Sequence, residues 1–393
     1  MPWIHRDVIP HLLKLVSSFP AVLVTGPRQC GKTALLKRVF PQYTYVTFDD
    51  PFQVLKAEGS PREFIQEISS PVILDEIQYV PFLFRYIKME IDRNRENGKF
   101  LLTGSQSFQL GNLGSESLAG RMSILELSTL GASELLTHDP TTPLESLMFK
   151  GGFPEIWSNT VDPVDWYPSY ISTYLQRDIR SLVQVADLNT YSRFLRATAL
   201  RTGSLLNYAD LARDVGISPN TVKRWISLLV TSGILNLVEG WYSNPSSRLI
   251  KAPKAYFNDT GLFCALLGFK SVQMMQDSPL LGSVWETFCH GQLRTWLANR
   301  GRWHNNLFYW RTKDGKEVDF LVLDGTDLYA FECKSVELPS EGDTRSLDIL
   351  SKTHKIKKRV ILCRTPDYLE HVNGLEVTLD NACHLDRIFL AHK

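Results

Sequence analysis

The residues best equipped for chemistry come early, in Gly26-Pro27-Arg28-Gln29-Cys30-Gly31-Lys32-Thr33-Ala34. Glycines at two positions let the backbone curl so that successive N–H groups turn toward one centre, where they would hold phosphate oxygens. Lys32 adds a charge for the outer phosphates, and Thr33 adds a hydroxyl for Mg²⁺. Such a loop needs a strand to deliver it and a helix whose amino-terminal dipole faces the same anion. Ala21-Val-Leu-Val-Thr25 is a short apolar run rich in β-branched residues, and Leu35, Leu36 and Val39 then recur at helical spacing. Gly26 to Ala34 is therefore expected to cradle ATP with Mg²⁺.

A second chemical pair closes the run Pro71-Val-Ile-Leu-Asp75-Glu76. Beside a phosphate loop, Asp75 would orient the Mg²⁺ shell together with Thr33, and Glu76 would polarise the water that attacks the γ-phosphate. Lys99-Phe-Leu-Leu-Thr103-Gly104-Ser105-Gln106 reads as a further buried strand. Its exit lies where the nucleotide belongs, so Ser105 or Thr103 would sense the γ-phosphate, unless Gly104 marks a simple turn. Tyr43 to Phe48 alternates as a strand into Asp49-Asp50, a pair open between solvation and a role near the site. Arg121 is the candidate finger reaching a neighbouring subunit's γ-phosphate in a homo-oligomer, with a plain surface arginine as the other reading. Arg85, Arg93 and Arg95 compete for that role.

Around these groups, Val8 to Val16 reads as a leading helix, and Trp166 to Thr202 as helices forming a lid. In that lid Tyr174, Leu175, Ile179, Leu182, Phe194, Leu195 and Leu200 mark the apolar positions and Arg177 is a second sensing candidate. Tyr208 to Val215, the turn Gly216-Ile-Ser218 and Pro219 to Val230 read as helix, turn and helix, with Ser218 as cap and Pro219 in the first turn. Asn220, Thr221, Lys223 and Arg224 would face outward toward duplex DNA, with Val222, Ile226, Leu229 and Val230 inward. Packing or protein contact is the alternative. Ile234 to Val238 starts a wing, Ala255-Tyr-Phe keeps strand character, and Gln273 to Pro279 reads as a boundary loop before a helix running to about Asn299.

Further on, Gly315 and Asp324-Gly325 separate strands, which puts Asp319 and Glu332 on one hairpin and Glu332 and Lys334 on one face. Two carboxylates so placed suit Mg²⁺, with the lysine positioning water against a phosphodiester. A solvated hairpin with an ion pair would look the same. The basic run His354 to Arg359 is either the polar end of a helix or the lining of a groove for DNA.

Composition excludes more than it assigns. A 393-residue chain with 44% hydrophobic and 22% charged residues is folded and built of more than one domain. Its net charge of +1 neither demands nor excludes nucleic acid. The six cysteines form no C-x-x-C pair, so they are expected as buried thiols rather than a zinc site. No apolar run reaches membrane length, and Met-Pro-Trp-Ile-His-Arg-Asp lacks a signal-peptide core, so no membrane partner and a cytoplasmic location are expected.

Gly26 to Thr33, Val72 to Gln78, Leu101 to Ser107, Leu118 to Arg121 and Gly151-Gly-Phe-Pro-Glu155 together resemble a prokaryotic AAA-type ATPase family with a poorly characterised C-terminal domain. The likeness continues through Tyr174 to Ile179, Thr202 to Asn207 and Lys254 to Leu262. The helix-turn-helix resembles a winged-helix unit. Asp319, Glu332 and Lys334 resemble the acid, acid-x-lysine pattern of restriction-endonuclease-like folds, where Glu286 matches a helical glutamate. These resemblances imply an α/β P-loop AAA-like ATPase core (1–160), a helical lid (161–202), a winged helix-turn-helix unit (203–270) and an endonuclease-like α/β domain (271–393). They imply Mg²⁺-dependent ATP hydrolysis coupled to conformational change in a protein acting on or bound to DNA. The alternatives are an ATP-regulated, metal-dependent nuclease and a nucleotide-dependent switch that binds protein through the winged-helix or C-terminal domain.

Overall fold

The computed structural model describes residues 3–68, 71–104, 118–158, 161–175, 188–241, 252–302, 306–370 and 377–390. Ala21–Thr25 forms strand β1, buried along its whole length. It lies inside a parallel sheet with β2 (Thr44–Thr47), β3 (Val72–Asp75), β4 (Phe100–Thr103) and β5 (Met122–Glu126), in the order β2-β3-β4-β1-β5. The uninterrupted apolar character of β1, β3 and β4 follows from cover on both faces. Leu23, Leu74 and Leu102 pack with Phe64, Phe84 and Ile87 on one side. On the other, Val22, Val24, Ile73 and Leu101 pack with Leu12 of α1 (Ile9–Ser18) and with Leu35 and Leu36 of α2 (Lys32–Val39).

Parallel strands end together, so Thr25, Thr47, Asp75 and Thr103 reach one edge of the sheet, and α2 begins there. Asp49 and Asp50 follow β2 but are exposed, and the Asp50 carboxylate accepts from Phe52 N at 2.9 Å. Asp50 therefore caps the helix Pro51–Gly59.

Beyond the sheet, α3 (Pro163–Tyr170) continues as a π-helical turn over Ile171–Leu175, and α4 (Leu188–Ala199) follows. Arg177, Ile179 and Leu182 lie outside the described residues. Leu200 falls just past the end of α4 and is exposed, not packed as its spacing suggests. Helix α5 (Tyr208–Val215) is capped by Asn207, whose carboxamide oxygen accepts from Ala209 N and Asp210 N, and it ends at Gly216 in the left-handed region. Ser218 Oγ accepts from Thr221 N at 3.1 Å, and Pro219 opens α6 (Pro219–Thr231). Val222, Trp225, Ile226 and Leu229 of α6 are buried, and Trp225 meets Tyr191 and Phe194 of α4 edge-on. Asn220, Lys223 and Arg224 are exposed, while Thr221 and Val230 are half-buried.

The chain then enters a second sheet. Its strands are β6 (Leu235–Gly240), β7 (Lys254–Phe257), β8 (Leu307–Arg311), β9 (Glu317–Asp324), β10 (Asp327–Cys333), β11 (Lys358–Leu362) and β12 (Thr378–Asp380), in the order β12-β11-β10-β9-β8-β6-β7. Because β6 pairs with β8, the strands that follow the helix-turn-helix and the C-terminal strands share one sheet. Val272–Gln276, overlapping the expected boundary loop Gln273 to Pro279, is a short helix capped by Ser271. Helix α7 (Leu281–Asn299) is buried along most of its length and bridges the two sheets. Its Trp285 donates to Leu362 O at 2.9 Å, and its Arg294 pairs with Glu126. Among the described residues no helix is long and apolar enough to cross a membrane.

Candidate functional site

Three residues between β1 and α2 take positive φ: Gly26 (140°), Gln29 (64°) and Gly31 (97°). Gly26 cannot be replaced without a clash, because a Cβ there would lie 2.2 Å from Leu127 O. Gln29 holds a left-handed conformation that a side chain disfavours, a strain of about 1 kcal/mol or more that the surrounding fold sustains. The backbone is thus bent as a phosphate nest requires. Lys32 is only 5% exposed, and its Nζ lies across the bend, donating to Gly26 O at 3.1 Å and Pro27 O at 2.9 Å.

Asp75, 3% exposed, gathers the other strand ends. Its Oδ1 accepts from Thr33 Oγ1 at 2.8 Å and Thr103 Oγ1 at 2.5 Å, and its Oδ2 accepts from Tyr45 OH at 2.8 Å. Thr103 Oγ1 also accepts from Glu76 N at 3.0 Å. Glu76 itself is left-handed (φ 57°), and its carboxylate accepts from the Gln78 amide. Burial, then the hydrogen bond and charge of Asp75, raise the Tyr45 phenol to about 12, so it remains a donor at neutral pH.

The structure therefore brings Lys32, Thr33, Asp75, Glu76 and Thr103 together; Ser105 lies outside the described residues. Two further residues here lacked a local signal. Tyr45 reaches Asp75 through the pairing of β2 with β3, and Arg6 reaches the loop from ahead of α1. Arg121 is elsewhere. It immediately precedes β5, at the amino-terminal edge of the sheet, and pairs with Asp92 at 2.5 Å. Within its own chain it therefore lies at the sheet edge opposite the phosphate loop. Of its competitors, Arg93 pairs with Glu90, and Arg95 donates to Gly120 O at 3.4 Å.

A second cluster of charge lies on the C-terminal sheet. Phe320 pairs with Phe331, which puts Asp319 and Glu332 beside each other on the β9–β10 hairpin. Asp319 Oδ2 accepts from Cys333 N at 2.8 Å, and Lys334 Nζ donates to Glu332 Oε1 at 3.0 Å. Glu286 on α7 accepts from Tyr256 OH at 2.6 Å and lies 3.5 Å from the buried Lys254 Nζ, which also pairs with Glu317. Glu286, Asp319, Glu332 and Lys334 are thus gathered between α7 and the β9–β10 hairpin, although among the described residues no group of three or more His, Cys, Asp or Glu side chains has the arrangement to hold a metal ion. The hydrogen bonds above and two lysines, one of them Lys254 from a strand outside the motif, engage these carboxylates, but Glu332 Oε2 is buried without a hydrogen-bond partner. The basic run ends paired too, Lys357 with Asp327, Lys358 with Glu370 and Arg359 with Asp348.

Burial, then the Asp319 charge, raises Glu332 to about 8 and Glu286 to about 7, with Lys334 and Lys254 respectively opposing. Between the ordinary carboxylate range and these values the folded chain binds more protons than the unfolded chain, so stability falls as pH rises. Glu332→Gln is expected to flatten that decline. Urea midpoints of wild type and variant at pH 5 and pH 8 would measure it, and equal slopes would contradict it.

Residues 18–136 match the AAA domain family, 141–273 a domain of unknown function (DUF8612), and 281–378 a second domain of unknown function (DUF4143). The chain is 33% identical over 339 residues to the uncharacterized protein Rv2008c of Mycobacterium tuberculosis and, equally, to the uncharacterized protein Mb2031c of Mycobacterium bovis, spanning 85% of this chain and 75% of each relative. The chain belongs to their family. Its amino-terminal region is an AAA-type ATPase domain with an α/β core. Among solved structures, the Walker-type ATPase PABY2304 of Pyrococcus abyssi matches at a TM-score of 0.45 and 17% identity, covering 67% of this chain and 96% of that one.

Proposed function

We propose that this member of the AAA family binds ATP with Mg²⁺ on Gly26 to Ala34 and hydrolyses it, and that the cycle moves attached domains bound to duplex DNA. The observation that carries the reading is Asp75, which holds the Thr33 hydroxyl at the sheet edge beside a loop bent by three positive φ angles. The oxygens of Thr33 and Asp75 form the hard donor set that suits Mg²⁺, whose role when bound is to neutralise phosphate charge. Lys32 Nζ exchanges the carbonyls of Gly26 and Pro27 for the outer phosphates. Glu76, its carboxylate held by Gln78 and its backbone by Thr103, aligns and polarises the attacking water.

Helices α5 and α6, followed by β6 and β7, support the winged-helix reading, and the exposed Asn220, Lys223 and Arg224 with Thr221 support duplex DNA as its partner. The β9–β10 hairpin with Asp319, Glu332 and Lys334 supports an endonuclease-like ancestry, with the domain now serving as a docking surface. Arg121 serves as a finger only across a homo-oligomer interface.

The test is ATP turnover with and without duplex DNA, alongside DNA retention by Lys223→Glu/Arg224→Glu. The double reversal is expected to weaken DNA binding by about tenfold or more at moderate salt and to lower the salt dependence, with basal turnover unchanged. Unaltered retention would remove α6 from the DNA surface.

A further inference from the structure

Arg6 is 3% exposed although it lies only a few residues from the amino terminus. Its guanidinium is held on every side. Nη1 donates to Cys30 O at 3.0 Å, Nη2 to Ser128 O at 2.7 Å and Thr129 O at 3.4 Å, and Nε to Glu134 Oε1 at 3.1 Å. Glu134 is fixed in turn, accepting from Asp7 N and Gly131 N, each at 2.7 Å. Ser128, whose carbonyl Arg6 holds, is anchored through its hydroxyl by Arg294 of α7 at 3.0 Å.

The bond to Cys30 O has a geometric consequence. In a planar trans peptide the carbonyl oxygen and the following N–H leave opposite edges. Fixing the Cys30 oxygen on Arg6, on the side of Ser128 and Glu134, therefore fixes the Gly31 N–H on the other side. Gly31, at φ 97°, has no Cβ to restrict it, so its own backbone preference does not fix that peptide and the bond from Arg6 to Cys30 O does. A buried cation with a rigid fork of donors is well suited to hold it, whereas lysine would supply a point charge.

We propose that Arg6 is a positioning residue for the phosphate loop: by anchoring the Cys30 carbonyl it aims the Gly31 N–H at the β-phosphate of a bound nucleotide. The inference rests on the reading of Gly26 to Ala34 as the triphosphate site. It also gives α7 a route to that site, from Arg294 through Ser128 to Arg6, independent of the nucleotide's own contacts.

The experiment compares the binding of MgADP and of AMP to the full chain as wild type, Arg6→Ala and Arg6→Lys, with thermal midpoints recorded in parallel. AMP reports on base and ribose contacts without a β-phosphate. Arg6→Ala is expected to weaken MgADP by about tenfold or more and to leave AMP within about twofold, as loss of an aimed charge-assisted hydrogen bond requires. Arg6→Lys keeps a buried cation, carries the test if the alanine variant does not fold, and is expected to show the same ADP-specific loss at smaller size. Equal weakening of ADP and AMP, or no change in either, would overturn the proposal and reduce Arg6 to a structural tie. If wild type bound neither nucleotide, the triphosphate reading itself would fall, an outcome distinct from wild-type binding that both variants leave intact.

Discussion

Lys32→Ala is expected to lower ATP turnover by about 10²- to 10³-fold while the chain still folds, the scale of losing one preorganised charge from a transition state. The side chain is buried, and its ammonium reaches the carbonyls of Gly26 and Pro27 across the bend where phosphate charge would accumulate. Truncation releases two carbonyls that water at the loop can serve. The stability cost is therefore about 1–3 kcal/mol, well below a core substitution of similar size. Steady-state phosphate release and a thermal melt on the same sample separate the two effects. A variant that melts early but turns over normally would make Lys32 a strap for the loop and nothing more.

Glu76→Gln is expected to reduce turnover by about 10²- to 10⁴-fold with nucleotide affinity preserved, because the amide keeps the size of the side chain and loses only its charge and basicity. The surroundings favour a clean substitution. The backbone of Glu76 is anchored by Thr103, and its left-handed conformation is a feature of the turn after β3 rather than of the carboxylate. Single-turnover kinetics beside equilibrium binding would show the split between chemistry and affinity. Parallel loss of both would mean that Glu76 shapes the pocket instead of acting on water.

What could be read in the chain beforehand was local. The strand, bent loop and helix around Gly26 to Thr33 are contiguous, as are the strand and acids ending at Glu76 and the capped pair α5 and α6, so short-range propensity and spacing mark them.

Contacts set by strand order and domain packing were not legible. Tyr45 meets Asp75 only because β2 lies beside β3, and Arg6 meets Cys30, Ser128 and Glu134 from far along the chain. Lys254 enters the carboxylate cluster because β7 joins the C-terminal sheet through β6 and β8. That long-range placement of a second lysine lets the Asp319, Glu332 and Lys334 pattern describe an ion-paired cluster as well as it describes a metal site.

The central claim is that the bend between β1 and α2 is a triphosphate site. Calorimetric titration of ATP with magnesium into the full chain, as wild type and as Glu76→Gln, tests it most directly. Saturable binding at one site per chain in both proteins, with turnover only in the first, is the predicted result. A flat titration in both would contradict the account.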